Sequence, residues 1–250
     1  MRDKVKRMPS PAAAEEHLRV IRSLMEKATI YRAIAAQGAL IGGLVSLLAG
    51  GLLAGKNDFF VSWLTGTGML PANADLFGFL MKWALVLLCA ATANFYYLFR
   101  DARRRKEPFV SPGMRLALRA MTPALLCGLV FTSFCTRDGL PHGSAFLYDM
   151  SLPQAWMIFY GLALLSTSHF APKSLVGLGW AFLLSGLALL RIDAREWLRI
   201  PHSSAIPLPG DKSAIWTYAD ALMACSFGFY HLVYALFTTS RKPEVLEPSV

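Results

Sequence analysis

The stretch LFGFLMKWALVLLCAATANFYYLF, Leu76 to Phe99, decides how this chain is read. A bilayer core about 30 Å thick needs roughly 20 mostly apolar residues per helix. Leu76 to Phe99 exceeds that length, contains one charge, Lys82, and is closed by Arg100. A backbone in lipid must satisfy its own hydrogen bonds, so the stretch reads as a helix and not an open strand. Five more stretches follow the same pattern: Ala33 to Leu53, Leu116 to Cys135, Leu152 to Phe170, Leu175 to Leu190 and Ile215 to Phe237. The third is the least regular, with Arg119 and Pro123 near its start. Only Ala171, Pro172, Lys173 and Ser174 separate the fourth from the fifth, which predicts a tight helical hairpin.

Composition agrees. The 250 residues are 55% apolar and 16% charged, with a mean hydropathy of +0.43 and a net charge of +9. Soluble domains carry about a quarter charged residues, so these values argue against a free globular enzyme and exclude disorder. The predicted fold is all-α: a polytopic bundle of six transmembrane helices over 33–240. An amphipathic basic segment over 1–32 precedes it, and a short tail over 241–250 follows. The first apolar stretch has 32 residues before it and runs for 21. A cleaved signal has an apolar region of about 7–15 residues, so this one is read as retained. Cys89, Cys127, Cys135 and Cys225 are widely spaced with no CxxC, and read as small packing residues.

Lysine and arginine in short loops mark the cytoplasmic side. Eight precede the first span, from Arg2 to Arg32, and seven lie between the second and third, from Arg100 to Arg119. With Lys173, Arg241 and Lys242 they make 18 on one side, against six on the other. Both termini are therefore expected in the cytoplasm. From Ser10 to Ile30, apolar Leu18, Ile21, Leu24 and Met25 alternate with Glu15, Arg19, Arg22 and Lys27. That pattern predicts a helix on the inner surface or running into the first span. The run Arg100 to Lys106 is placed at anionic lipid headgroups. No aromatic interleaving or helix-turn-helix accompanies it, so nucleic acid is not an expected partner. On the outer side, Phe59 to Leu64 reads as an interfacial segment. Arg191, Arg195 and Arg199, spaced i, i+4, form either an extension of the fifth helix or a basic stripe facing an anionic partner.

Gly38, Gly42, Ser46 and Gly50 line one face of the first span, where small residues let another helix approach closely. Gly177, Ala181 and Ser185 make a shorter version on the fifth. Such faces serve either packing within the chain or a homodimer or membrane-protein partner.

Ionisable residues inside a membrane face protein or a water-filled cavity. Lys82 lies six residues into the second span and Asp220 five into the sixth. Both spans run inward, so the two are expected at one depth as an ion pair, structural or part of a solute path. His231 follows Asp220 by three turns and is predicted to share its face. Asn94 and Tyr234 are further candidates for that polar face. His169 and His231, on different spans, are the only residues that suggest a cofactor, a haem; no metal site is otherwise indicated.

Phe227 to His231 reads FxxxH, and Glu15, Glu16 and Arg19 read EExxR. Together they faintly resemble the CPBP intramembrane protease family. That family has one more residue between Glu and Arg, and here the acidic pair precedes the first span, out of reach of His231. No GxSG, HExxH or Walker A sequence is present. Four segments, LRVIRSLMEKATIYRAI (Leu18 to Ile34), FVSPGMRLALRA (Phe109 to Ala120), WMIFYGLALLSTSHFAP (Trp156 to Pro172) and LMACSFGFYHLVYALF (Leu222 to Phe237), resemble an uncharacterised group of bacterial multi-spanning membrane proteins. The resemblance implies a bacterial inner-membrane setting and no activity. The expected function is a non-enzymatic scaffold, sensor or accessory subunit. The alternatives are a small transporter using Lys82 and Asp220, and a haem-binding redox protein using His169 and His231.

Overall fold

Each apolar stretch of the sequence becomes a helix. The computed structural model describes residues 15–16, 18–20, 35–54, 56–57, 62, 66, 74–106, 110, 112–136, 142–169, 171–191 and 218–240. In chain order the helices are α1 (Ala36–Leu52), α2 (Ala74–Arg105), α3 (Pro112–Cys135), α4 (His142–Leu165), α5 (Lys173–Leu189) and α6 over 218–240. No strand occurs among the described residues. Three helices are long and apolar enough to cross a membrane: Leu76–Arg104 in α2, Met114–Cys135 in α3 and Tyr218–Thr239 in α6. The other apolar helices, Ala36–Leu52, Leu152–Leu165 and Lys173–Leu189, are shorter. Of the amino-terminal amphipathic segment only Glu15, Glu16 and Leu18 to Val20 are described; they are helical and exposed, with Arg19 3.4 Å from Glu16. Arg195, Arg199, most of Phe59 to Leu64 and the tail over 241–250 lie outside the described residues, while Arg191 is exposed just beyond α5.

Boundaries shift where local chemistry outweighs hydropathy. α2 does not stop at Arg100 but continues through Arg105, and Lys106 then turns the chain at φ 57°. That left-handed conformation is a common way to end a helix, though usually with glycine. α3 begins at Pro112, a first-turn position that proline tolerates because it has no N–H to satisfy. α4 ends at Leu165, short of the expected Phe170. Ser166 and Thr167 there turn their hydroxyls back onto the carbonyls of Ala163 (2.7 Å) and Leu164 (2.6 Å). Side chains of this kind compete with the backbone for its own hydrogen bonds and favour a turn.

Packing runs α2–α1–α6–α5–α4–α3, each helix touching the next. Two clusters make the core. One joins Ala49, Phe79, Trp83, Val86, Cys135, Leu152, Ala219 and Met223; the other joins Ala39, Met157, Leu164, Leu175, Leu178, Phe182, Tyr234 and Ala235. The first small-residue face lies within the chain. A Cβ on Gly38 would stand 2.8 Å from Asn94 Cα, and one on Gly42 3.0 Å from Ala90 Cβ, both on α2. At Gly50 it would stand 2.5 Å from Ala224 Cβ on α6, and Ser46 between them is buried. The second face is different from the one expected. α5 buries Leu175, Leu178, Gly179, Phe182 and Gly186. Gly179 packs on Leu164 and Leu165, and Gly186 on Ile158, while Gly177 meets nothing within 4 Å and Ala181 is exposed. The helix has small residues on both sides, and its large apolar ones, Leu178 and Phe182, decide which side turns inward.

Candidate functional site

α2 carries Lys82 and Trp83, α6 carries Asp220 in its first turn, and the chain leaving α1 supplies Leu53 and Asn57. These five residues meet at one point. Lys82 Nζ donates to Asp220 Oδ2 at 2.6 Å, to Asn57 Oδ1 at 2.8 Å and to the Leu53 carbonyl at 3.2 Å. An ammonium has three N–H groups, and all three are used. Trp83 Nε1 donates to the second carboxylate oxygen, Asp220 Oδ1, at 2.9 Å. The Lys82 side chain is 1% exposed and that of Asp220 0%. Phe79 shields the ammonium with its ring, 5.9 Å from centroid to Nζ, and stacks on Trp156 of α4 at 5.8 Å. Two glycines make room: a Cβ on Gly78 would overlap the Asn57 carbonyl, and one on Gly50 would lie 2.7 Å from the Asp220 carbonyl oxygen. Asn57 itself is fully buried, and its Nδ2 has no hydrogen-bond partner among the described residues.

Burying two charges is unfavourable unless geometry and further hydrogen bonds offset the lost hydration. This cluster meets that condition. It ties the chain after α1, together with α2 and α6, into one polar junction. Lys82 has no N–H left for a solute unless a protein partner lets go.

His231 belongs to a second, separate constellation. Its Nδ1 lies 2.7 Å from the Phe227 carbonyl and its Nε2 2.9 Å from the Tyr160 hydroxyl on α4. A carbonyl only accepts, so Nδ1 carries the proton; in the neutral ring Nε2 then accepts from Tyr160. Phe182 and Phe227 enclose the pair, with centroids 5.6 and 6.3 Å from the imidazole. The expectation that Asp220 and His231 share a face is thereby corrected: Asp220 meets α2, and His231 meets α4 and α5. The reason lies between them. Residues Ala224–Tyr230 form a π-helix, whose hydrogen bonds run i→i+5. The wider turn slips the phase on which the three-turn spacing was counted.

Asn94 packs against Gly38 with a buried, unpartnered Oδ1, and Tyr234 is buried in the second core cluster. No direct hydrogen bond joins Asn94, Tyr234 and His231 among the described residues. Both His231 ring nitrogens are engaged and His169 is exposed in the turn after α4, a donor arrangement that does not fit a haem held between them. Among the described residues no group of three or more His, Cys, Asp or Glu is placed to hold a metal.

Asn57, Trp83 and Tyr160 are functional neighbours that sequence reasoning passed over. Asn57 follows Lys56 in what reads as a loop, and Tyr160 reads as core. Trp83 offered a signal, since a buried indole N–H needs an acceptor and Lys82 beside it points to where one is. Compared with family models, curated proteins and solved structures, the chain matches none.

Proposed function

We propose that this chain is an integral protein of a bacterial inner membrane, with six spans and both termini in the cytoplasm, working as a non-enzymatic scaffold, sensor or accessory subunit. The observation that carries the second half of this reading is the saturation of Lys82. A group that moves a solute must exchange partners during the cycle, whereas Lys82 has three protein acceptors and is sealed from solvent. The six-span reading draws on helix lengths. At 1.5 Å per residue, the 17 residues of α1 and of α5 reach about 26 Å. That falls a few ångströms short of the core, a mismatch that local thinning of the bilayer accommodates.

Two experiments test it. Cysteines introduced by Lys56→Cys and Lys106→Cys should react with an impermeant maleimide from opposite sides of the membrane; labelling from one side overturns the topology. Proteoliposomes loaded with a pH-sensitive dye and given an imposed potential should show no proton flux above protein-free vesicles. Flux that Asp220→Asn abolishes while the protein stays folded establishes the transporter instead.

A further inference from the structure

The inner end of α2 is longer than any span requires. Its 32 residues extend about 48 Å, against a hydrocarbon core of about 30 Å. The surplus is basic. Arg100 to Arg119 contains seven lysines and arginines against two acidic residues, Asp101 and Glu107. Of these Arg103, Arg104 and Lys106 are exposed at the end of α2, and Arg115 and Arg119 are exposed in the first turns of α3. Two guanidinium groups are held over aromatic rings of the preceding turn: Arg100 lies 5.3 Å from the Tyr97 centroid and Arg103 5.2 Å from that of Phe99. Cation–π contacts of this kind set where the charge sits without neutralising it. In the preceding turns of the same helix, Phe95, Tyr96 and Phe99 are exposed to the surroundings. Exposed apolar residues followed on the same helix by exposed cations match one kind of molecule, an acyl-chain lipid with a negative headgroup.

We infer that the end of α2 forms a binding surface for anionic phospholipids, with Arg103, Arg104 and Lys106 meeting the headgroup phosphate and the exposed Phe95, Tyr96 and Phe99 taking the acyl chains. This rests on the membrane reading above. The occupant is a lipid and not a free phosphate, because the exposed apolar residues adjoin the cations on the same helix.

The test uses full-length protein in nanodiscs of phosphatidylcholine with and without phosphatidylglycerol, with retained lipid counted by native mass spectrometry. Phosphatidylglycerol should be retained over phosphatidylcholine, less so at high salt. The triple variant R103Q/R104Q/K106Q should lose that preference by about fivefold for each charge removed while melting normally in phosphatidylcholine alone. Equal retention by the variant, or displacement of the lipid by millimolar inorganic phosphate, overturns the proposal. An alkaline carbonate wash separates the two readings: protein that resists the wash yet shows no lipid preference defeats this inference alone, and protein that washes off defeats the membrane reading with it.

Discussion

Replacing Asp220 by Asn probes the polar junction at its centre. Asp220 accepts from Lys82 and from Trp83, with its side chain fully enclosed. Asparagine retains one oxygen for the indole but turns an N–H₂ toward the ammonium, donor against donor. Lys82 keeps its bonds to Asn57 and Leu53 and loses the carboxylate bonded to it. Removing one partner of a buried ion pair costs about 3–5 kcal/mol, because the remaining charge stays desolvated. Asp220→Leu should cost a similar amount through Lys82, and Lys82→Met through Asp220, and these two are the singles of the cycle. The double variant Lys82→Met/Asp220→Leu removes both charges, so its loss should fall well short of the sum of the singles, the remainder coming from Trp83 Nε1 and Asn57 Oδ1 left without partners. The assay is reversible unfolding of the purified protein in mixed micelles, read by tryptophan fluorescence and arranged as a double-mutant cycle. A coupling of about 2 kcal/mol or more is expected. Single variants as stable as the parent, or a double variant whose loss equals the sum of the singles, would refute the reasoning.

Four further outcomes are expected. Gly50→Leu should destabilise by at least about 1–3 kcal/mol through overpacking against Ala224 and the Asp220 carbonyl, whereas Gly177→Ala, with open space around it, should be neutral or gain up to about 1 kcal/mol of helix propensity; thermal melts decide both. His231→Leu leaves the Tyr160 hydroxyl without its acceptor and should cost about 1–3 kcal/mol, with Tyr160→Phe in the same background recovering part of it. Trp83→Phe removes one donor to Asp220 and should cost about 1.5–3 kcal/mol, the range for hydrogen bonds to charged groups, measured by the same unfolding.

Hydropathy carried the helices into view because each apolar stretch is bounded by charges, as Leu76 to Phe99 is by Arg100. It located them less well at their ends, where Ser166 and Thr167 act through hydroxyl-to-carbonyl bonds that a hydropathy profile does not register. Lys82 and Asp220 were legible as a pair, since counting residues from two span ends that run the same way gives depth. Their other partners were not. Asn57 is reached through a connection whose path depends on how the chain leaves α1, and no periodicity encodes that. The relation of Asp220 to His231 failed for a sharper reason. Counting turns assumes 3.6 residues each, and the π-helix at Ala224–Tyr230 breaks that assumption inside the interval being counted. Small residues misled on α5, where they occupy both sides and only the placement of Leu178 and Phe182 discriminates.

The junction also has a timetable. Lys82 and Asp220 are 138 residues apart in the chain, and a ribosome adds about 5–20 residues per second. For roughly 7–28 s of every synthesis, α2 therefore exists with its lysine bonded at most to Leu53 and Asn57. The helix that completes the site is made last among those described. Completion of the junction thus waits on α6, so a pause or a truncation between the two leaves Lys82 without its carboxylate. Such an intermediate carries an unpaired charge, whereas the finished protein pairs and buries it.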